Sequence, residues 1–223
     1  MVWLDYKVNI FFLSRDPVQA AEWHLDKHVI KMVTETAQLL STAHRMLDGT
    51  LVFLPNHKLP GKFKKHWMLP GEYLPLNDSP EECKKLWCYR STHPNVPLNI
   101  WLRSSAANYR WLYQLFLALL HEFSYRRNKS HSCEKLVTFL SKIPKNIKDG
   151  VEFVDPPAAM PEKYKVPGDV PESYKRFYVG EKHRFATWKV RSRPEWYDEY
   201  RKQLEEELLC SGSKEQLTSQ SQP

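Results

Sequence analysis

The chain opens its regular patterning at residues 7 to 13, KVNIFFL, a short apolar run that reads as a strand or a buried extended entry. Ser14-Arg15-Asp16-Pro17 then marks a helix start, with Asp16 as cap and Pro17 at the first helical position. The periodicity predicts one helix from there to about Met46, stopping at Asp48-Gly49. With His24 at zero and about 100° per residue, Val18, Leu25, Val29, Met32, Val33, Ala37, Leu40 and Ala43 form the core face. His24, His28, Lys31, Glu35, Gln38 and Thr42 fall within about 40° of each other on the other side. Asp26 and His44 lie near the apolar side, where a carboxylate and an imidazole must be paired or hydrogen-bonded.

Residues 49 to 98 have weak periodicity and predict an irregular excursion with one short helix near Pro80 to Tyr89. Helical patterning returns from about Pro97 to Arg126, and a shorter helix follows near Ser132 to Ser141. Six prolines between residues 143 and 171 predict an extended arm. Further helices are expected from about Glu172 to Trp188 and from about Pro194 to Leu209. The expected fold is mostly α: a single compact helical domain over residues 1–208, with long Pro-rich loops and a disordered tail at 209–223.

Composition narrows the class. Hydrophobic residues make up 42 % and charged residues 26 % of 223, which excludes wholesale disorder, collagen and coiled coil. No apolar run approaches the ~18 residues of a membrane span, so no membrane association is expected. The N-terminus lacks the flanks of a secretory signal. Four cysteines without a CxxC point to reduced thiols in an intracellular compartment. Only 7 glycines are present, and no phosphate-binding glycine loop occurs. The net charge of +7 favours an anionic partner, nucleic acid first.

The first helix carries the candidate chemistry. A solvated helix face is usually Lys, Glu and Arg, whereas this stripe holds two His, a Gln and a Thr. His24 and His28 have metal-binding spacing, but Glu35 is too far along the helix to be a third ligand. A metal would need His93 or His131, or a zinc site on Cys83, Cys88 and His93; the favoured expectation is no metal and no cofactor. Lys31 and Glu35 form an i,i+4 pair, which is a plain surface pair or, in a cleft, an amine beside a carboxylate. On the central helix, Arg126 lies within the apolar edge and should meet a carboxylate, either Glu122 locally or a partner elsewhere. The functional alternative has His24, Gln38, Asn108, Glu122 and Arg126 enclosing a polar pocket between helices.

From Tyr174 to Trp196 the chain holds seven Lys/Arg, two Glu and six aromatics. Arg184, Lys189, Arg191 and Arg193 can neutralise phosphates, while Trp188, Trp196 and Tyr197 can stack on bases, unless the rings are core. KFKKHW at 62 to 67 is a second, smaller cluster of the same kind.

Three stretches resemble the phage-type pyrimidine-dimer DNA glycosylases, the small endonuclease V-type repair enzymes. They are Val8-Asn9-Ile10, then Asp26-Lys27-His28 with Glu35 seven residues on, and Arg193-Pro194-Glu195-Trp196-Tyr197 continuing to Tyr200. The chain is also similar to uncharacterised proteins of phages and large DNA viruses, through His24 to Met32, His93 to Arg103 and Asn108 to Tyr113. The glycosylase resemblance implies a mostly helical enzyme that cleaves the glycosidic bond of a damaged base in duplex DNA. It then cuts the abasic strand through a Schiff base, without a metal. It implies Glu35 as the essential carboxylate, His28 and Asp26 as its neighbouring motif, and Trp196 and Tyr197 as an aromatic element near the DNA. The family's nucleophile is an N-terminal amine. Here Asn9 has eight residues before it, more than the family has, so Lys7 or Lys31 is the substitute amine. Two alternatives stay open: a non-catalytic nucleic-acid-binding protein, and a nucleotide- or base-modifying enzyme with the polar interhelical pocket.

Overall fold

The computed structural model describes residues 10–204 and 206. The expectations for Lys7 and for a disordered tail at 209–223 lie outside the described residues. The fold is mostly helical, with one two-stranded sheet among the described residues. Ile10, Phe11, Phe12 and Leu13 enter as extended, buried chain.

α1 (Pro17–Trp23) starts as the residues dictate: the Asp16 side chain accepts from the Val18 and Gln19 amides, and Pro17 has no amide to leave unpaired. The single long helix expected to Met46 is broken in two. His24 and Leu25 are extended, with ψ of 134° and 156°, and α2 (Asp26–Asp48) begins after them. The break is held from far along the chain. Arg126 Nη1 donates to the His24 carbonyl at 2.7 Å and Nη2 to the Glu22 carbonyl at 2.8 Å. The Asp26 amide donates to the Thr187 carbonyl at 2.9 Å. These partners satisfy the groups that helix ends leave open. The break also resets the helical phase. Val18, expected in the core, is 55 % exposed, whereas Val29, Met32, Val33, Ala37, Leu40 and Ala43 within α2 are buried as expected.

Near the end of α2, Arg45 is wholly buried and holds the following excursion. Its five N–H groups make five bonds: two to the Glu72 carboxylate at 2.8 and 2.9 Å, and one each to the carbonyls of Trp67, Cys88 and Tyr89. Burial pushes the Glu72 carboxyl up, but the bonds and charge of Arg45, together with the Trp87 and Leu69 amides, leave the group below its ordinary value.

That excursion is more ordered than its weak periodicity suggests. β1 (Thr50–Pro55) and β2 (Phe63–Met68) pair antiparallel, with Leu51 opposite Trp67, Phe53 opposite Lys65 and Pro55 opposite Phe63. Alternation was hard to see because apolar residues occupy both faces of β1. The short helix expected over 80–89 is a single turn, α3 (Pro80–Cys83).

The central helix is also split. α4 (Pro97–Ser104) ends at Ser105, whose extended backbone and side chain cap α5 (Ala106–Arg127) by accepting from the Asn108 amide. α5 ends at Asn128 in the left-handed region, φ 51°, which asparagine tolerates. A 3₁₀ turn (Ser132–Leu136) leads into α6 (Val137–Leu140). α7 (Val170–Lys182) and α8 (195–204) complete the described elements. α2 and α5 are the central packed pair, with α1 against α5 and α4 against both. No helix among the described residues is long and apolar enough to cross a membrane.

Candidate functional site

Two polar assemblies lie on α2. The first surrounds the helix break. Asp26 Oδ1 sits 3.2 Å from Arg126 Nη1, and Asp26 Oδ2 accepts from the Thr187 hydroxyl and the Lys189 amide, both at 3.0 Å. Arg126 Nε donates to Glu122 at 2.9 Å, and Arg191 Nη2 donates to the other oxygen of Glu122 at 2.5 Å. Arg191 also lies over the Tyr125 ring, 4.6 Å from its centroid. Burial raises the Glu122 carboxyl, but Arg191 and Arg126 together hold it below its ordinary value. Arg126 does meet carboxylates, as its position demanded. It does not line a pocket, because every donor faces a partner in the break. Asp26 and Glu122 belong to the same closed network.

The other expected pocket residues are dispersed. Asn108 turns away from α2: its amide nitrogen donates to the Trp101 carbonyl and Ser104 hydroxyl, and its oxygen accepts from the Val154 amide. His24 lies before α2 rather than on it. Its Nδ1–H donates to the Ala20 carbonyl at 2.5 Å, and desolvation pushes the ring down to about 4. His24 and His28 are therefore not an i,i+4 pair on one helix. Among the described residues, no group of three His, Cys, Asp or Glu side chains is arranged to hold a metal ion.

The second assembly is the outward part of the α2 stripe. The His28 ring stacks on Phe11 at 4.2 Å, and its Nδ1 lies 2.6 Å from the Tyr178 hydroxyl. Burial, then the charges of His24, Lys182 and Lys31, push its pKa down to about 2, so it is a neutral imidazole. Two turns along, the Glu35 carboxylate is buried, with Lys31 Nζ 2.9 Å from Oε1. Lys31 itself is well exposed. Gln38 follows, half-buried. Thr42 closes the stripe structurally, accepting the Thr92 amide at 3.1 Å.

Sequence reasoning missed one member, Lys182. It stands at the end of α7, about 150 residues away, and was counted only within a basic run. Its Nζ lies 4.8 Å above the Phe177 ring; on α2, Lys27 Nζ lies 5.1 Å from the Phe185 ring. Desolvation and the charge of Lys31 lower the Lys182 pKa. A buried carboxylate, an exposed amine and a second amine close enough to feel its charge are groups that can form and resolve an iminium. Their spacing at 3.6 residues per turn placed the first two on one face; only the docking of α7 adds the third.

The basic–aromatic C-terminal third divides by burial. Arg184 and Lys189 are exposed. Arg193 is exposed but paired with Asp198 at 2.7 Å. Trp188 is half-buried, its indole N–H donating to the Trp23 carbonyl at 3.2 Å. Trp196 and Tyr197 are buried among rings: Trp196 meets Trp23, Tyr178, Tyr197 and Tyr200, and Tyr197 meets Trp188. Their expected stacking on bases gives way to core packing. Beside them is an open cleft of about 570 Å³, lined by Trp23, Lys175, Arg191, Arg193, Trp196 and carboxylates including Glu22. His28, Lys31 and Glu35 do not line it.

A scan against protein-family models, a search of curated proteins and a search of solved structures each return no match for this chain.

Proposed function

We propose that this protein is a DNA-processing enzyme, a base-damage glycosylase of the pyrimidine-dimer type with abasic-site lyase activity, acting at Glu35. The observation that carries the reading is the buried Glu35 carboxylate held 2.9 Å from the exposed Lys31 amine, with Lys182 near enough to feel the charge of Lys31. In this reading an unprotonated amine attacks C1′ of the damaged nucleotide, and the C1′–N bond breaks as the base leaves and takes up a proton. Loss of the ring oxygen's bond to C1′ gives an iminium. Removal of a C2′ proton then expels the 3′ phosphate, and water hydrolyses the iminium to free the amine. Glu35 stabilises the cationic sugar and accepts the C2′ proton. Lys31 is 2.9 Å from Glu35, and Lys182, partly desolvated at the end of α7, is the second candidate amine. Neutral His28 holds Phe11 and Tyr178 behind the site.

The same reading places the protein as one compact domain in a reducing intracellular compartment, with damaged duplex DNA as its partner. The three described cysteines, Cys83, Cys88 and Cys133, are free thiols, which suits that compartment.

Borohydride trapping on labelled duplexes bearing a pyrimidine dimer or an abasic site tests the reaction. A covalent band is expected, retained in Asp26→Asn and lost with the variant that removes the nucleophile: Lys31→Ala, Lys182→Ala, Lys7→Ala or an N-terminally blocked form. Glu35→Gln should lose about 100-fold or more in turnover while still shifting DNA in a gel. No band, with the gel shift intact, overturns the Schiff-base mechanism and leaves the non-catalytic binding protein. That second reading is favoured by one observation: Asp26, Glu122 and Arg126 are all consumed in structural bonds.

A further inference from the structure

The β1–β2 hairpin has two unlike faces. Its inner face is packed: Leu54, His66 and Met68 are buried, and Lys64 reaches the buried Asp78 carboxylate at 2.6 Å. Its outer face carries the alternate register positions, the pairs Leu51–Trp67, Phe53–Lys65 and Pro55–Phe63. Here Phe53 is 59 % exposed and Phe63 63 % exposed. Two open phenyl rings share one small sheet face, where a contiguous exposed apolar patch marks a surface that can bind. They are diagonal neighbours, about 7–8 Å apart by sheet geometry. Lys65 stands on the same face, directly opposite Phe53 and adjacent to Phe63.

The charge around these rings has one sign. Residues 49–71 contain four lysines and no aspartate or glutamate. Lys64 is engaged by Asp78; Lys58 and Lys62 are exposed in the connecting loop and Lys65 on the outer face. We propose that this outer face is a binding platform for single-stranded nucleic acid, taking bases on Phe53 and Phe63 and the intervening phosphate on Lys65. Unpaired bases offer the flat faces that open rings can stack on, whereas a duplex hides them. The lysines match the backbone charge. A membrane surface fits less well. A face that enters lipid keeps its cations at the rim, and here Lys65 stands between the rings. The platform is separate from Glu35 and does not rest on the lyase reading.

The test measures binding of the full chain to a labelled 12-nucleotide single strand, to the matching duplex and to vesicles of anionic phospholipid. The double variant Phe53→Ala with Phe63→Ala is expected to weaken single-strand binding about 10-fold or more. Lys65→Gln is expected to reduce the slope of log affinity against log salt by about 0.7. Lys65→Glu provides a check without altering either ring, and equal melting temperatures show that each variant is folded. Unchanged single-strand affinity in both the ring and charge-reversal variants overturns the proposal. So does loss of vesicle binding in those variants with oligonucleotide binding intact. A failed trapping experiment with the ring dependence present would sink the lyase and leave the platform standing.

Discussion

Asp26 and Glu35 stand on one helix, each beside a basic side chain, yet they live in different physical regimes. Asp26 gives one oxygen to Arg126 and the other to the Thr187 hydroxyl and Lys189 amide, so the break between α1 and α2 is sealed to the 187–189 segment. Glu35 is buried, more so than Asp26, but the ammonium beside it is exposed to solvent. The bonding capacity of both Asp26 oxygens is taken up within its network. The Lys31–Glu35 pair instead reaches the surface through its amine. Carboxylates and cations in a sequence are therefore poor guides to chemistry until their remaining partners are known. Here Arg126, with four hydrogen bonds to other groups, is poorly suited to reaction.

The contrast can be broken most forcefully at Arg126. Arg126→Ala leaves Glu122 less compensated and uncaps α1, and should cost about 3–5 kcal/mol in denaturant unfolding. A loss below about 1 kcal/mol would mean that the network is not what holds the break. Acid should act next. His24 and His28 are neutral in the fold, with pKa values pushed to about 4 and about 2, while an unfolded histidine titrates near 6.5. Below about pH 6.5 the unfolded chain binds more protons than the folded one, so stability present at pH 7 is lost as pH falls, by about 1.4 kcal/mol per unit for each histidine. Unfolding curves at pH 7 and pH 5 that coincide would show these rings to be charged in the fold. Asn108→Ala strands the Val154 amide and should cost about 1–3 kcal/mol, with no effect on DNA binding. The smallest expected change sharpens the comparison. Lys31→Ala removes an exposed partner and should shift stability by less than about 1 kcal/mol, even if it abolishes trapping.

Much of the helix content was legible in local pattern. The Asp16-Pro17 start, the buried face of α2 and the demand of Arg126 for a carboxylate all follow from propensity, periodicity and the cost of a buried charge. The breaks at His24–Leu25 and Ser105 were not legible as helix ends. Ser105 in fact announces itself, since serine is a favoured cap, but it stood within an unbroken helical pattern. His24 and Leu25 carry no such signal. Their extended backbone is stabilised by a guanidinium and a carbonyl from residues 126 and 187. The error spread, because one assumed helix put His24 and His28 on a shared face and Val18 in the core. At the site, Lys31 and Glu35 could be paired from spacing alone, while Lys182 could not be joined to them.

What the sequence by itself determined is the set of local choices: where helices begin, which side of α2 is apolar, and the 49–71 stretch of lysines and aromatics without an acid. What only the tertiary structure decided is which polar groups remain available. Trp196 and Phe63 are both aromatics beside basic residues, but one is buried among four rings and the other is open. Burial is a sum over neighbours distant in the chain, and periodicity along one element does not contain it. The same sum lowers the Lys182 pKa through desolvation and a neighbouring charge on another helix.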